Sequence, residues 1–319
     1  MRLAYFDDFR LGVVAGDEIV DVSDAILAQK VKIYPDEPGQ ANIRPGDFGA
    51  LIEHWDRFAP LLNEAARSGV MRPLKSVRLQ APIRRPVNID CLAMNFIEDG
   101  SGIPPAPINA FHKAAGALIG PGGTMVLPDV PGSTFEAEAE MALIVGKRGY
   151  QVPASRAMEH VFGYVNLIDG SVRGLGPERN NFYQMKSRDT FCCVGPFVVT
   201  KEEIADPHEL DIRLWNNGQP MQEFNTRDMA YGIERCVEFV SSVHTIEPGD
   251  IIALGTNHQG LHPLMDGDRI ELEVAGLGRL SMNVRDEFKR TWKRQTRAEY
   301  EKTGQPGFFG PQLTGKYAP

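Results

Sequence analysis

Residues 131–146 read PGSTFEAEAEMALIVG, a polar alternation that passes without a break into an apolar run. On an extended strand, neighbouring side chains point to opposite faces, so Glu136, Glu138 and Glu140 share one face while Ala137, Ala139 and Met141 share the other. Carboxylates two residues apart on such a face stand about 6.5 to 7 Å apart at their Cα atoms and repel one another. A solvated acidic edge would tolerate that. The run that follows, ALIVG, has the composition of a buried strand, and carboxylates beside a core need a compensating cation or raised pKa values. Their hard oxygens suit Mg²⁺, Mn²⁺ or Ca²⁺.

Outward from this stretch the chain is mostly short apolar runs bounded by Gly, Pro, Asn and Asp: PFVVT, LDIRLWNNGQPM, DIIALGT and DRIELEVAGLGRLSMNV. The NNG at 216–218 fits a type I′ hairpin. Two helices interrupt the strands, one over Ala154 to Phe162 after Pro153, the other over Thr226 to Val243 with Thr226 and Asp228 as cap candidates. Nearer the start, RLAYF and LGVVAGDEIVDVSD read as strands with a hairpin at Gly16 and Asp17, and residues 48–66 show helical spacing. These patterns predict a β-rich α+β protein with a small α/β leading domain over 1–75 and a larger domain over 76–286. Residues 287–319 form a basic helical segment and a Gly/Pro/aromatic tail, either solvated or docked through Phe308, Phe309 and Tyr317 on a neighbouring subunit.

The 319 residues carry 34 Lys and Arg against 42 Asp and Glu, a net charge of −8, which is the wrong sign for a nucleic-acid partner. A local site can still be positive, which leaves small acidic substrates open. Asp7 and Asp8 stand where a signal peptide would have its apolar run, and no apolar stretch approaches about 18 residues, so neither export by that route nor a membrane span is expected. The four cysteines form no CxxC pair, which points to a reduced, cytoplasmic setting.

A metal site needs a third carboxylate. Asp169, in FGYVNLIDGSVR, ends an apolar run and precedes Gly170, which reads as a turn at the end of an element, where ligands gather. Lys186 lies among aromatics in NNFYQMKSRDTFCCVGP, and a lysine beside a dication is shifted towards its neutral form and can donate or accept a proton.

Taken in order, these segments resemble the fumarylacetoacetate hydrolase family over roughly Asn88 to Val284. The E-x-E strand is matched by Glu138, Glu140 and Gly146, and the GY(x)₄D(x)S(x)R segment by Gly163, Tyr164, Asp169, Ser171 and Arg173. The K-S-x-D-T-F…GP segment is matched by Lys186, Ser187, Asp189, Thr190, Phe191, Gly195 and Pro196, and Phe111, Lys113 and the GT of LGTNHQG continue the match. The resemblance implies a mixed β-sandwich roll, a homodimer, and Mg²⁺ or Mn²⁺ held by Glu138, Glu140 and Asp169, with Lys186 facing the substrate and Glu136 an outer neighbour. It implies a small 2-oxo acid or 1,3-dicarbonyl acid as substrate, such as arises in aromatic catabolism, assisted by Thr256, Arg173, Gln184 and Asn95. C–C cleavage, hydrolytic or decarboxylating, is the leading expectation; isomerase, tautomerase or dehydratase chemistry and an inactive binding module are the alternatives.

One segment departs from the pattern. Hydrolytic members carry N-Y-x-x-H-x-x-E, whose His and Glu activate water. Here NFIEDGSGIP keeps Asn95 and Phe96, but Asp99 replaces the His and Gly102 the Glu. Loss of a general base lowers rates by about 10²–10⁴, which favours the isomerase reading. Glu98 or Asp99 on the same segment, or His258 in LGTNHQGLHP, are the candidate substitutes, with His262 behind them.

Overall fold

The computed structural model describes residues 1–27, 29–31, 41–42, 46–98, 105–177 and 182–319. The EAEAEMALIV stretch forms one twelve-residue strand, Thr134–Val145, paired antiparallel to the thirteen-residue Val161–Arg173. This ribbon lies inside an eleven-stranded mixed sheet. On one side of it come Cys192–Thr200, Arg2–Phe6, Arg10–Ala15, Glu18–Asp21 and Met71–Pro73, with the short Leu118–Ile119 also pairing with Cys192–Thr200; on the other come Ile251–Ala253, Ile89–Leu92 and Ala110–His112. A five-stranded sheet built from Thr124–Val126, Arg279–Arg285, Arg269–Val274, Asp211–Asn216 and Gln219–Asn225 faces it.

Strand alternation assigns each ribbon face its own core. Ala137, Ala139, Met141 and Leu143 pack with Ile212, Leu214, Ile270 and Leu272 of the smaller sheet and with Ile233, Val237 and Val240 of the helix Ile233–Val243. The opposite face supplies Ala142, Ile144, Val165 and Leu167 to a second core, closed by Phe48, Leu51, Phe58 and Leu62 from the helices Phe48–Glu53 and Trp55–Ser68. On that second face the ribbon changes character halfway along: below Ala142 come Glu140, Glu138 and Glu136, and beyond Leu167 come Asp169, Ser171 and Arg173. A buried polar patch is thereby made on rigid strands.

The β-rich α+β class follows from these sheets. Asn217 and Gly218 both have positive φ, as a type I′ turn requires, and Gly16 likewise turns the leading hairpin. Several local expectations need correction. The expected 226–243 helix splits into a 3-10 turn, Thr226–Asp228, capped by Asn225, and the helix proper from Ile233. Ala154–His160 is also 3-10. In the basic segment only Arg297–Glu301 is helical. The division of the sequence at 75 and 76 is crossed by hydrogen bonding, since Arg2–Phe6 pairs with Cys192–Thr200 and the leading strands extend the large sheet.

Candidate active site

Glu138 and Asp169 are direct cross-strand partners, and Glu140 follows two residues along the same face. Carboxylate oxygens of all three lie within 4.8 Å of one another, and all three residues are buried. Asp169 is therefore not at a turn: it sits inside the strand, and Gly170 is there because a Cβ would come within 3.0 Å of the Phe191 backbone and 2.6 Å of Met125 Cε. Two lysines serve the group. Lys186, closing the short helix Phe182–Lys186, places Nζ 2.7 Å from both Glu138 Oε1 and Asp169 Oδ2. Lys113 Nζ donates to Asp169 Oδ1 and to the Lys186 carbonyl.

Arg173 pairs with Glu136 at 2.7 Å and with Glu138, and Arg297 from the C-terminal segment holds Glu136 at 2.6 Å. Glu140 has no salt bridge among the described residues; it accepts the Gly255 N–H at 2.9 Å, which the positive φ of Gly255 aims at it. Burial alone would raise the Glu138 carboxyl, but Lys186 and Arg173 outweigh it and hold it well below the usual range. Burial together with Asp169 and Glu138 pushes Glu140 well above that range. Three buried carboxylates whose hard oxygens converge, one of which, Glu140, has no ion pair among the described residues, fit a divalent cation held by Glu138, Glu140 and Asp169.

A cavity of about 600 Å³ opens over this group, bordered by Glu138, Arg173, Lys186, Thr256, Glu98, His258, Arg297 and Phe308, with Phe96, Phe111 and Phe182 as apolar wall. Phe111 and Phe182 stack at 4.7 Å, and Lys186 Nζ lies 5.3 Å from the Phe111 centroid. At the rim, Glu98 Oε1 lies 2.9 Å from both the backbone N and Nδ1 of His258. A carboxylate opposite Nδ1 favours the tautomer with its proton there and Nε2 as the acceptor. The hydrogen bond from His258 lowers the Glu98 carboxyl, against partial burial.

The profile described as fumarylacetoacetate (FAA) hydrolase C-terminal matches residues 94–285. The chain belongs to the fumarylacetoacetate hydrolase family. Maleylpyruvate hydrolase of Aquipseudomonas alcaligenes is 33% identical over 300 residues, spanning 89% of this chain and 99% of that protein. The mitochondrial oxaloacetate tautomerase FAHD2A of Bos taurus is 37% identical over 218 residues, 65% of this chain and 69% of that protein. The crystal structure of maleylpyruvate hydrolase from Sphingobium sp. SYK-6 in complex with manganese (II) ion and pyruvate is 35% identical and covers 90% of this chain and 99% of that chain, with a TM-score of 0.77.

In this member of the fumarylacetoacetate hydrolase family the acidic trio and Lys186 stand at the cavity with Glu98, whose partner His258 comes from the loop beyond Ile251–Ala253. Asp99, the other candidate base, lies outside the described residues. Thr256 is buried at the cavity and accepts from Gln222 Nε2 at 3.0 Å. Asn95 does not border the cavity: its side chain donates to Leu254 O and Tyr231 O and accepts from Tyr231 N, so it anchors the segment that presents Phe96 and Glu98. Gln184 is exposed and donates to Gly176 O, away from the cavity lining. His262 is buried against Asn216. Lys113 was legible only as a motif match without a role, and Arg297 read as part of a solvated helix. In place of a free tail, Tyr317 and Lys316 hold Asp129 at 2.7 Å each, and Arg297 lies 4.9 Å from the Phe308 centroid. Among the described residues no helix is long and apolar enough to cross a membrane.

Proposed function

We propose that the protein is a divalent-metal-dependent hydrolase that cleaves a C–C bond of a small 2-oxo acid or 1,3-dicarbonyl acid. The observation that carries this reading is the Glu98–His258 pair beside Glu138 and Lys186, a water-activating dyad supplied from a new position. The family and the manganese-bound relative support metal dependence. Glu138, Glu140 and Asp169 would hold the ion, Mg²⁺ or Mn²⁺, which when bound would supply Lewis acidity.

His258 Nε2 takes a proton from water as the oxygen adds to the ketone carbon, and Glu98 stabilises the imidazolium through Nδ1–H. The C–C bond then breaks, and the proton returns to the departing carbon. Lys186 holds the acidic floor and offers an N–H donor to the substrate. Arg173 at the cavity edge and Thr256 orient the acid, while Phe111 and Phe182 keep bulk water from the reacting carbons. A cytoplasmic homodimer acting on a small acid completes the reading.

The resemblance to an oxaloacetate tautomerase supports a second reading, enolate protonation without water addition. Turnover in ¹⁸O-labelled water separates the two. Hydrolysis puts one label into a carboxylate product; turnover with no label in product would overturn it in favour of proton transfer.

A further inference from the structure

A second ligand cluster lies outside the cavity. His112 alternates along its strand with Phe111 and Lys113, which serve the site, so its ring points the other way, towards Asp90 of the neighbouring strand and His244 at the end of the helix Ile233–Val243. One ligand atom from each residue lies within 4.8 Å of the others. His112 Nδ1 is 3.1 Å and His244 Nε2 3.2 Å from the same atom, Asp90 Oδ1. Ligands about 2.0 Å from a tetrahedral zinc ion stand about 3.3 Å from one another, so the two histidine–carboxylate spacings suit a coordination shell as well as hydrogen bonds.

The hydrogen bonding points the same way. His244 Nδ1 lies 2.9 Å from the Thr245 carbonyl, which can only accept, so the ring proton is on Nδ1. Nε2 then faces a carboxylate oxygen 3.2 Å away, an apposition that either a second ring proton or a metal ion between them satisfies. A histidine whose far nitrogen donates to a backbone carbonyl is the usual outer support of a metal ligand. Asp90 is 4% exposed, and its Oδ2 has no hydrogen-bond partner among the described residues. His112 is exposed, which gives an entry path and an open coordination position.

We propose that Asp90, His112 and His244 form a second metal site, selective for Zn²⁺ or a similar borderline dication over Mg²⁺ because two of its three ligands are imidazoles. It is independent of the carboxylate trio. Bound there, the ion ties the edge strand Ala110–His112 to the helix end and steadies the residues that carry Phe111 and Lys113 into the active site.

The test is equilibrium dialysis of the magnesium-loaded protein against zinc, with zinc content read by elemental analysis and the thermal midpoint read alongside. Wild type should hold about one more zinc per chain than His112→Ala, and zinc should raise the midpoint of wild type but not of the variant. The exposed position of His112 makes that variant a mild one for folding, and His244→Gln is expected to repeat the loss. Glu138→Gln should leave the wild-type difference intact. Equal zinc content in wild type and His112→Ala, as a proton on His244 instead of a metal would give, overturns the proposal, as does loss of the extra zinc in Glu138→Gln alone.

Discussion

Glu138 and Asp169 face each other across two antiparallel strands and share a single ammonium, with Lys186 Nζ 2.7 Å from an oxygen of each. Removing that cation leaves Glu138 to Arg173 and Asp169 to Lys113, with nothing positive between the two buried carboxylates. Lys186→Met is expected to lower kcat by about 10² or more while retaining bound metal. In metal-free buffer it should also be destabilised by about 3–5 kcal/mol, the usual effect of removing one partner of a buried pair. Elemental analysis, turnover and denaturation check the three parts, and full activity would dispose of the role.

The metal assignment is tested apart from turnover. Glu138→Ala takes away a hard oxygen ligand, while Glu140→Gln and Asp169→Asn take away a ligand's charge, and bound magnesium or manganese should fall below half an equivalent (about one in wild type), since such single losses weaken these sites by roughly tenfold or more. Unchanged metal content in all three would sink it.

His258→Asn removes the base and should lower kcat by about 10²–10⁴ with little change in KM. Glu98→Gln keeps the base but loses the carboxylate that orients it, so a smaller loss, about tenfold, is expected. If both variants hydrolyse at the wild-type rate, water is activated elsewhere.

The same pair sets a pH dependence of stability. The His258 hydrogen bond lowers the Glu98 carboxyl, so its contribution is present above the unfolded value and is lost as pH falls through the lower folded value. Wild type should be more stable than Glu98→Gln at pH 7, with the gap closing below about pH 4. Denaturant midpoints for both proteins across that range check it; a gap that widens in acid contradicts the assignment.

Arg297→Met strips one of two arginines from the fully buried Glu136 and frees the Phe308 wall. A loss of about 3 kcal/mol in stability is expected, together with a rise in KM larger than the fall in kcat. Steady-state kinetics and chemical denaturation measure both.

Some of the site could be read from residue order alone because its logic is local. Glu138 and Glu140 are two apart on one strand, and alternation is enough to put them on a common face. Asp169 was legible as a ligand but not as a strand residue, because Gly170 signals a turn and only the Phe191 backbone passing close behind explains the glycine. Glu98 and His258 were each visible as a substitute base, yet their pairing spans 160 positions and depends on Asn95 clamping one segment against Leu254 of the other. The same clamp is why Asn95, read as facing substrate, faces backbone. Arg297 was hidden for a related reason: its partner Glu136 lies 161 positions away, and a basic stretch looks solvated until that partner is found.

The outer wall of the cavity is contributed by the last part of the chain, whereas its floor belongs to the central ribbon. Floor and wall are riveted together where Arg297 meets Glu136, so a terminal peptide reshaped to admit a different acid has to keep a cation at that joint.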